Sequence, residues 1–267
     1  MGANEISLAD HKKIIFDILC DIKSFCNENG IRYFIAYGTA LGAVRHNGFI
    51  PWDDDIDICM TRSEYKKFKS LYIKRKSRFE LLDYQINDCF DTPLPKIVDT
   101  TTILSQYETN ELMPIGLYVD IFIYDNVPDG QLSRKLYLSA LTFLQKCWGF
   151  IHYRRNYPKI SPQYISYKVA TTIFKPIFFV RMLDKIAGMY HKKETKCVGS
   201  MLFSSNRFKY VFPKEWFGKG KTLYFEGEDF TAPLDVDSYL KCIYGDYMQL
   251  PPVEKRKSDH IFKAYYK

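Results

Sequence analysis

No zinc-type spacing, no paired-cysteine framework and no long apolar run occurs in this chain. Its seven cysteines (Cys20, Cys26, Cys59, Cys89, Cys147, Cys197, Cys242) are odd in number, scattered and never in a CxxC pair, and its five histidines are isolated. That excludes a zinc site of ordinary spacing and a disulfide scaffold, and it implies reduced thiols, with Cys59 a core residue. No stretch of eighteen apolar residues is present, so no membrane-spanning helix is expected. The opening residues lack the basic region, apolar core and cleavage site of a secretory signal, so a cytoplasmic location is expected, with contact at the inner face of the plasma membrane open to the basic segment 131–196. Repeats and low-complexity tracts are also missing. With 46% hydrophobic content over 267 residues, the chain can bury one large domain or one and a half small ones.

What is present is concentrated in one stretch, Tyr33 to Met60, YFIAYGTALGAVRHNGFIPWDDDIDICM. It joins a small-residue turn, Gly38-Thr39, to the acidic run Asp53-Asp54-Asp55-Ile56-Asp57. A turn that opens a helix offers backbone N–H groups to phosphate. Carboxylates are ligands for a hard divalent cation such as Mg²⁺ or Mn²⁺. In a strand, residues two apart share a face. Asp53, Asp55 and Asp57 are therefore expected on one side, with Asp54, Ile56 and Ile58 on the other. Like charges so close repel unless a cation lies among them. An anion cradle beside a metal site points to phosphate-ester chemistry.

The rest of the chain reads as mixed α and β. Ile14, Ile15, Ile18, Leu19, Ile22, Phe25 and Cys26 recur at helical spacing between Ser7 and Glu28, and Asn29-Gly30 stops that helix. A strand over 31–36 and a helix from Thr39 to His46 follow. Arg45, about two turns into that helix, either reaches a phosphate or pairs with an aspartate; His46 reads as structural. Trp52 either stacks on a base or sugar or supports the acidic strand. A helix over 61–76 and strands over 79–84 and from about Leu94 come next. In Ile115-Gly-Leu-Tyr-Val-Asp120-Ile-Phe-Ile a single carboxylate sits in an apolar run. An isolated buried carboxylate is costly, so Asp120 needs a partner, and a metal shared with Asp55 and Asp57 would provide one. Residues 125–130 read as a turn. Residues 222–233 read as a hairpin.

The run GTALGAVRHNGFIPWDDDIDI, the Gly-Leu-Tyr-Val-Asp-Ile-Phe segment around Asp120 and the later FEG, YGDYM and Pro-Pro segments resemble the LicD family, which includes phosphocholine transferases of bacterial surface glycans and the fukutin-type ribitol-phosphate transferases. The resemblance covers most of the chain and is weakest over 131–212. It implies an α/β (α+β) nucleotidyltransferase-like core with a short mixed sheet flanked by helices, plus a helical insertion. It implies catalytic carboxylates at Asp55, Asp57 and Asp120, which with Asp53 hold Mg²⁺ or Mn²⁺, and donor-phosphate contacts at Gly38, Thr39 and Arg45. The family has a Lys at the Lys96 position, followed by Asp99 and Thr100 here. Lys96 and Trp52 complete the expected substrate-binding set. The implied reaction is metal-dependent transfer of a phospho-alcohol, most often phosphocholine from CDP-choline, onto a hydroxyl of a glycan or lipid-linked glycan. CDP-ribitol or CDP-glycerol would use the same chemistry, and nucleotidyl transfer to a small molecule is the alternative outcome of such a site.

Three segments are expected: a catalytic core over 1–130, a basic helical insertion over 131–212 and a C-terminal segment over 213–267 that packs back on the core. Lys+Arg total 38 against 31 Asp+Glu, a net charge of +7, yet residues 131–196 hold thirteen Lys/Arg and only two acids, Asp184 and Glu194. Basic and aromatic residues mixed on helices suit the anionic face of a membrane, and Arg154, Arg155 and Lys159 are the sequence candidates for that contact. A packed helical unit with a solvated basic face is the plainer reading. No nucleic-acid recognition motif accompanies the charge, so nucleic acid is not expected as a partner. A Gly-Asp pair at Gly245-Asp246 and His260 are candidates either for substrate contact or for locking the tail.

Overall fold

The computed structural model describes residues 5–106, 115–153, 161–257 and 262–267. Helix α1 (Leu8–Asn29) opens on Ser7, whose hydroxyl accepts the Asp10 N–H, and ends at Gly30 in the left-handed conformation (φ 58°). The positive φ suits glycine at a helix end. In chain order there follow β1 (Phe34–Ile35), α2 (Tyr37–His46), β2 (Asp57–Thr61), α3 (Arg62–Tyr72), β3 (Phe79–Leu82), β4 (Lys96–Asp99), β5 (Thr102–Gln106), β6 (Tyr118–Val127), α4 (Gln131–His152), α5 (Pro162–Ile173) and α6 (Pro176–Ala187). The chain closes with β7 (Cys197–Ser200), β8 (Phe212–Pro213), the β9–β10 hairpin (Lys221–Phe225, Glu228–Ala232), α7 (Val236–Tyr244) and β11 (Phe262–Tyr266).

The main sheet has the order β1-β2-β6-β4-β3, and β7 with β8 extends it from β6. Among the described residues β2 and β6 alone run parallel, and the other pairs of this sheet are antiparallel. The sheet is thus mixed and flanked by helices, as the sequence implies. The apolar face of α1 (Ile15, Ile18, Leu19 and Ile22, all fully buried) packs in one core with Ile56, Ile58, Ile97, Val119 and Ile121 of the strands and their approach. β7 and β8 lie within 131–212 in sequence, yet in space they continue the sheet. β9, β10 and α7 pack against β1 and α2, and β11 pairs with β5.

Several local expectations are revised. The segment from 31 is extended, but only Phe34 and Ile35 pair as a strand. The strand at the acidic run begins at Asp57; the Ile56 carbonyl just before it accepts the Asp120 N–H at 3.0 Å, and residues 53–55 lie outside the strand. Residues 125–127 belong to β6 rather than to a turn, because they pair with β7, and the Arg62 guanidinium from α3 neutralises buried Asp125. Arg154, Arg155, Lys159 and His260 lie outside the described residues.

The start of α2 is strained. Tyr37 has φ 43°, a conformation that an aromatic side chain rarely adopts. Its N–H donates to the Tyr239 hydroxyl at 3.2 Å, and its ring packs on Phe122 at 4.6 Å. Tyr239 is fully buried and shares a further 3.1 Å hydrogen bond with the Tyr124 hydroxyl. Removal of that hydroxyl in Tyr239→Phe leaves the strained Tyr37 amide without its α7 partner. Urea denaturation is expected to show a loss of about 1–3 kcal/mol. An unchanged midpoint would mean that the ring contacts alone hold the turn.

Candidate active site

The site is built on one rung of the sheet. Asp57 of β2 stands directly opposite Asp120 of β6, and Asp120 stands opposite Lys96 of β4. Directly opposed residues of paired strands share a face. Two carboxylates and an ammonium therefore lie side by side. Lys96 Nζ is ion-paired to Asp120 Oδ1 and rests 3.6 Å from the centre of the Tyr118 ring. Lys96 and Asp57 are buried. Burial, and then the nearby charges of Asp55, Asp120 and Asp53, push the Asp57 carboxyl well above the usual carboxylate range, with Lys96 opposing.

The helix start meets this rung from the other side. Thr39, in the first turn of α2, accepts the Asp57 N–H on its hydroxyl at 2.8 Å, which ties α2 to the beginning of β2. Gly38 is needed for close approach: a Cβ there would stand 2.8 Å from Asp53 Oδ2 and 3.9 Å from Asp55 Oδ1. The Asp53 carboxylate thus lies against the N-terminal turn of α2, where the helix dipole favours negative charge.

A cleft of about 940 Å³ opens beside the rung: Asp57 lines it, whereas Asp120, Lys96 and Thr39 do not. It is lined on one side by Gly38, Arg45, Trp52, Asp53, Asp55 and Asp57. Asp54 is not part of that lining. The same-side placement of Asp53, Asp55 and Asp57 therefore holds, although only the last of them is in a strand. The opposite wall is the C-terminal segment, including Tyr244, Asp246, Tyr247, Lys255 and Arg256. Arg45 fastens the two walls: its Nη1 donates to the Tyr247 carbonyl at 2.8 Å, and its Nε to His46 Nε2 at 3.0 Å. Arg256 lies over the Trp52 ring at 5.7 Å, with its Nε donating to the Pro251 carbonyl at 2.8 Å.

The wall from 244 to 257 is the part that residue spacing missed. The Tyr-Gly-Asp-Tyr segment pointed to it only as a resemblance. A separate signal was available in the cationic run Lys255-Arg256-Lys257 after two prolines. Glu226 is a second such residue. It has φ 50° in the hairpin turn, and its Oε1 accepts the Phe49 N–H at 2.9 Å, which braces the loop that leads into the acidic run. Gly48 is required beneath it, since a Cβ would stand 2.1 Å from that oxygen. Lys12 of α1, which donates to the carbonyls of Ile50 and Pro51 at 3.3 and 3.2 Å, braces the same loop from below.

The donor set suits a hard divalent cation. Burial first, and then the charges of Asp55, Asp120 and Asp53, raise the Asp57 carboxyl, while Lys96 pairs with Asp120. Among the described residues, no three carboxylate, imidazole or thiolate side chains are already gathered as a coordination set. Lys96 holds Asp120, and Asp53 stands against Gly38.

Comparison with known proteins gives the following. Residues 30–91 match the family model described as LicD/FKTN/FKRP, nucleotidyltransferase domain. The matched segment contains the helix start and the acidic run. Over 98% of its length the chain is 29% identical to 98% of the lipopolysaccharide cholinephosphotransferase LicD of Haemophilus influenzae. It is also 36% identical over 27% of its length to 22% of an uncharacterized protein of Rickettsia typhi, and 28% identical over 43% of its length to 40% of an uncharacterized protein of Rickettsia prowazekii. The likeness to the LicD family that the signature carries is thereby borne out.

Proposed function

We propose that this LicD-like chain is a transferase that moves phosphocholine from CDP-choline onto a hydroxyl of a lipopolysaccharide glycan. The likeness to the Haemophilus cholinephosphotransferase along nearly the whole of both chains supports the outcome. The observation that carries the chemistry is the Asp57–Asp120–Lys96 rung, whose Asp57 lines one cleft together with Asp53 and Asp55.

In this reading Asp55, Asp57 and Asp120, with Asp53 beside them, would hold Mg²⁺ or Mn²⁺, which when bound supplies Lewis-acid stabilisation of the donor diphosphate. Gly38 at the start of α2 and Arg45 contact donor phosphate. The Thr39 hydroxyl, engaged by the Asp57 amide, acts by fixing that strand against the helix. An Asp120 carboxylate oxygen takes the proton of the attacking glycan hydroxyl. The new bond forms between that hydroxyl oxygen and the phosphorus that carries choline, and the bond to the bridging diphosphate oxygen breaks. CMP departs with the electron pair. Lys96, paired to Asp120, offsets charge on the phosphoryl group in transfer. Trp52 and Arg256 grip the donor from the two walls of the cleft.

Removal of the Trp52 ring in Trp52→Ala is expected to raise the KM for the donor about tenfold with a smaller change in kcat. An unchanged KM would return Trp52 to a purely supporting role. The overall reading is tested by a thermal-shift screen with Mn²⁺ against CDP-choline, CDP-ribitol, CDP-glycerol, CDP-ethanolamine, CTP and ATP, followed by a transfer assay. Metal-dependent stabilisation by CDP-choline above the other CDP-alcohols is the expected result. Stabilisation by CDP-ribitol or CDP-glycerol alone would change the donor. Stabilisation by a nucleoside triphosphate alone would replace the reading with nucleotidyl transfer.

A further inference from the structure

Helix α5 buries none of its twelve residues. A helix on a globular surface ordinarily turns an apolar stripe inward and a polar face to solvent. Here the inward side carries Tyr167, whose ring meets Phe150 of α4 at 5.7 Å, and Ala170, which packs on the small cluster around Trp148. The outward side carries Ile165, Val169 and Ile173, one turn apart, exposed at 58%, 51% and 65%. The exposed apolar surface continues around the bend into α6 with Phe174 and Phe178. These two rings pack on each other at 5.7 Å and on Phe179 at 5.6 and 5.2 Å. Phe179 is buried, so the exposed rings rest on a folded base.

The border of this surface is cationic. Lys168, Lys175 and Arg181 are all exposed around it. From 131 to 183 the sequence has nine Lys/Arg and no Asp or Glu. An apolar stripe with a cationic border complements a surface that is apolar within and anionic at its edge. A second copy of the same face would set lysine against lysine. An anionic bilayer satisfies both the stripe and its border, with the side chains entering the headgroup–acyl boundary and the cations meeting phosphate.

We infer that the α5–α6 elbow is a docking surface for an anionic lipid bilayer. The inference rests on this surface and not on the transfer reaction. Among the described residues no helix is long and apolar enough to cross a membrane.

The test uses the full chain and extruded phosphatidylcholine vesicles with and without about 30 mol % phosphatidylglycerol. The chain is expected to co-sediment with the anionic vesicles and to be released as salt rises. Ile165→Gln/Val169→Gln/Ile173→Gln is expected to weaken partitioning about tenfold or more. Lys168→Glu/Lys175→Glu/Arg181→Glu is expected to abolish the preference for anionic vesicles. Far-UV circular dichroism and melting of both variants should match the parent, since every substituted side chain is exposed. Failure of the parent to bind anionic vesicles at low salt would overturn the inference, as would parent-like binding by the glutamine variant. A lipid-free dimer in sedimentation velocity that the glutamine variant dissolves would assign the face to a second copy and would also overturn it.

Discussion

Asp57→Asn is expected to reduce transfer by about 10³-fold or more while the melting temperature stays equal to that of the parent or rises. The two effects have one cause. Asp57 is a buried carboxylate that faces Asp120 across the rung and feels Asp55 and Asp53 from the approach to β2. Its charge is unfavourable to the fold on its own account. An asparagine of the same shape removes that repulsion and keeps the backbone bond from the Asp57 position to the Thr39 hydroxyl. It also removes one of the proposed ligands of a divalent cation, where groups that stabilise transferring charge are each worth about 10²–10³ in rate. Calorimetric titration with Mn²⁺ supplies a readout separate from activity. The parent is expected to bind Mn²⁺ and to melt higher in its presence, and Asp57→Asn is expected to lose both responses. Turnover within tenfold of the parent would remove Asp57 from the reacting centre. Asp55→Asn should act in the same direction on activity with less gain in stability, because Asp55 is only partly buried.

Arg62→Ala is expected to cost about 3–5 kcal/mol of unfolding free energy, a loss of about 10 °C in melting temperature. Arg62 opens α3 and reaches two elements at once. Its Nε and Nη2 engage the two oxygens of Asp125 on β6, the latter at 2.8 Å, and its Nη1 engages Asp184 of α6 at 2.6 Å. Burial works against the Arg62 charge, but the hydrogen bonds and proximity to Asp125, and then Asp184, more than offset it and hold its pKa up. Asp125 is itself fully enclosed, and burial raises its carboxyl despite Arg62. Loss of the guanidinium leaves that carboxylate without its cation in a dry interior. Replacement of both partners in Arg62→Met/Asp125→Leu should recover most of the loss, because the desolvation cost is then removed together with the attraction. Urea denaturation of the two single variants and the double variant checks this. Arg62→Ala within about 1 kcal/mol of the parent would show that the network adds little.

Periodicity was sufficient for the elements that bury a face. The Ile14-to-Cys26 spacing defines α1, and the lone carboxylate in an apolar run marks Asp120 on β6. Close polar encounters were less legible. Asp125 reads as part of a turn because Asp-Asn with Pro and Gly downstream is turn chemistry. It lies in a strand because 124–127 pair with β7, and an arginine 63 positions earlier neutralises its buried carboxylate. The strained φ of Tyr37 leaves no mark in local sequence. It persists because Tyr239, 202 residues later, accepts its N–H. The acidic run shows a mixed result. The alternation of Asp53, Asp55 and Asp57 agrees with their lining one cleft without Asp54, although only Asp57 lies in a strand.

The mixed helices and strands, the acidic run around Asp55, the lone carboxylate Asp120, the small-residue turn at Gly38 and the cationic bias of 131–196 were legible in the residues themselves, whereas Lys96 was singled out only by resemblance. These are set by local chemistry, namely side-chain period, charge and the need for a residue without a Cβ. Only the tertiary structure decided that Asp57, Asp120 and Lys96 stand on one rung, that Thr39 serves the strand, and that the tail from Tyr244 to Lys257 forms the far wall of the cleft. It also decided that the apolar stripe of α5 faces outward. Each of these depends on strand register or on contacts between residues far apart in the chain. Register depends on the fit of a whole buried face and not on any single residue.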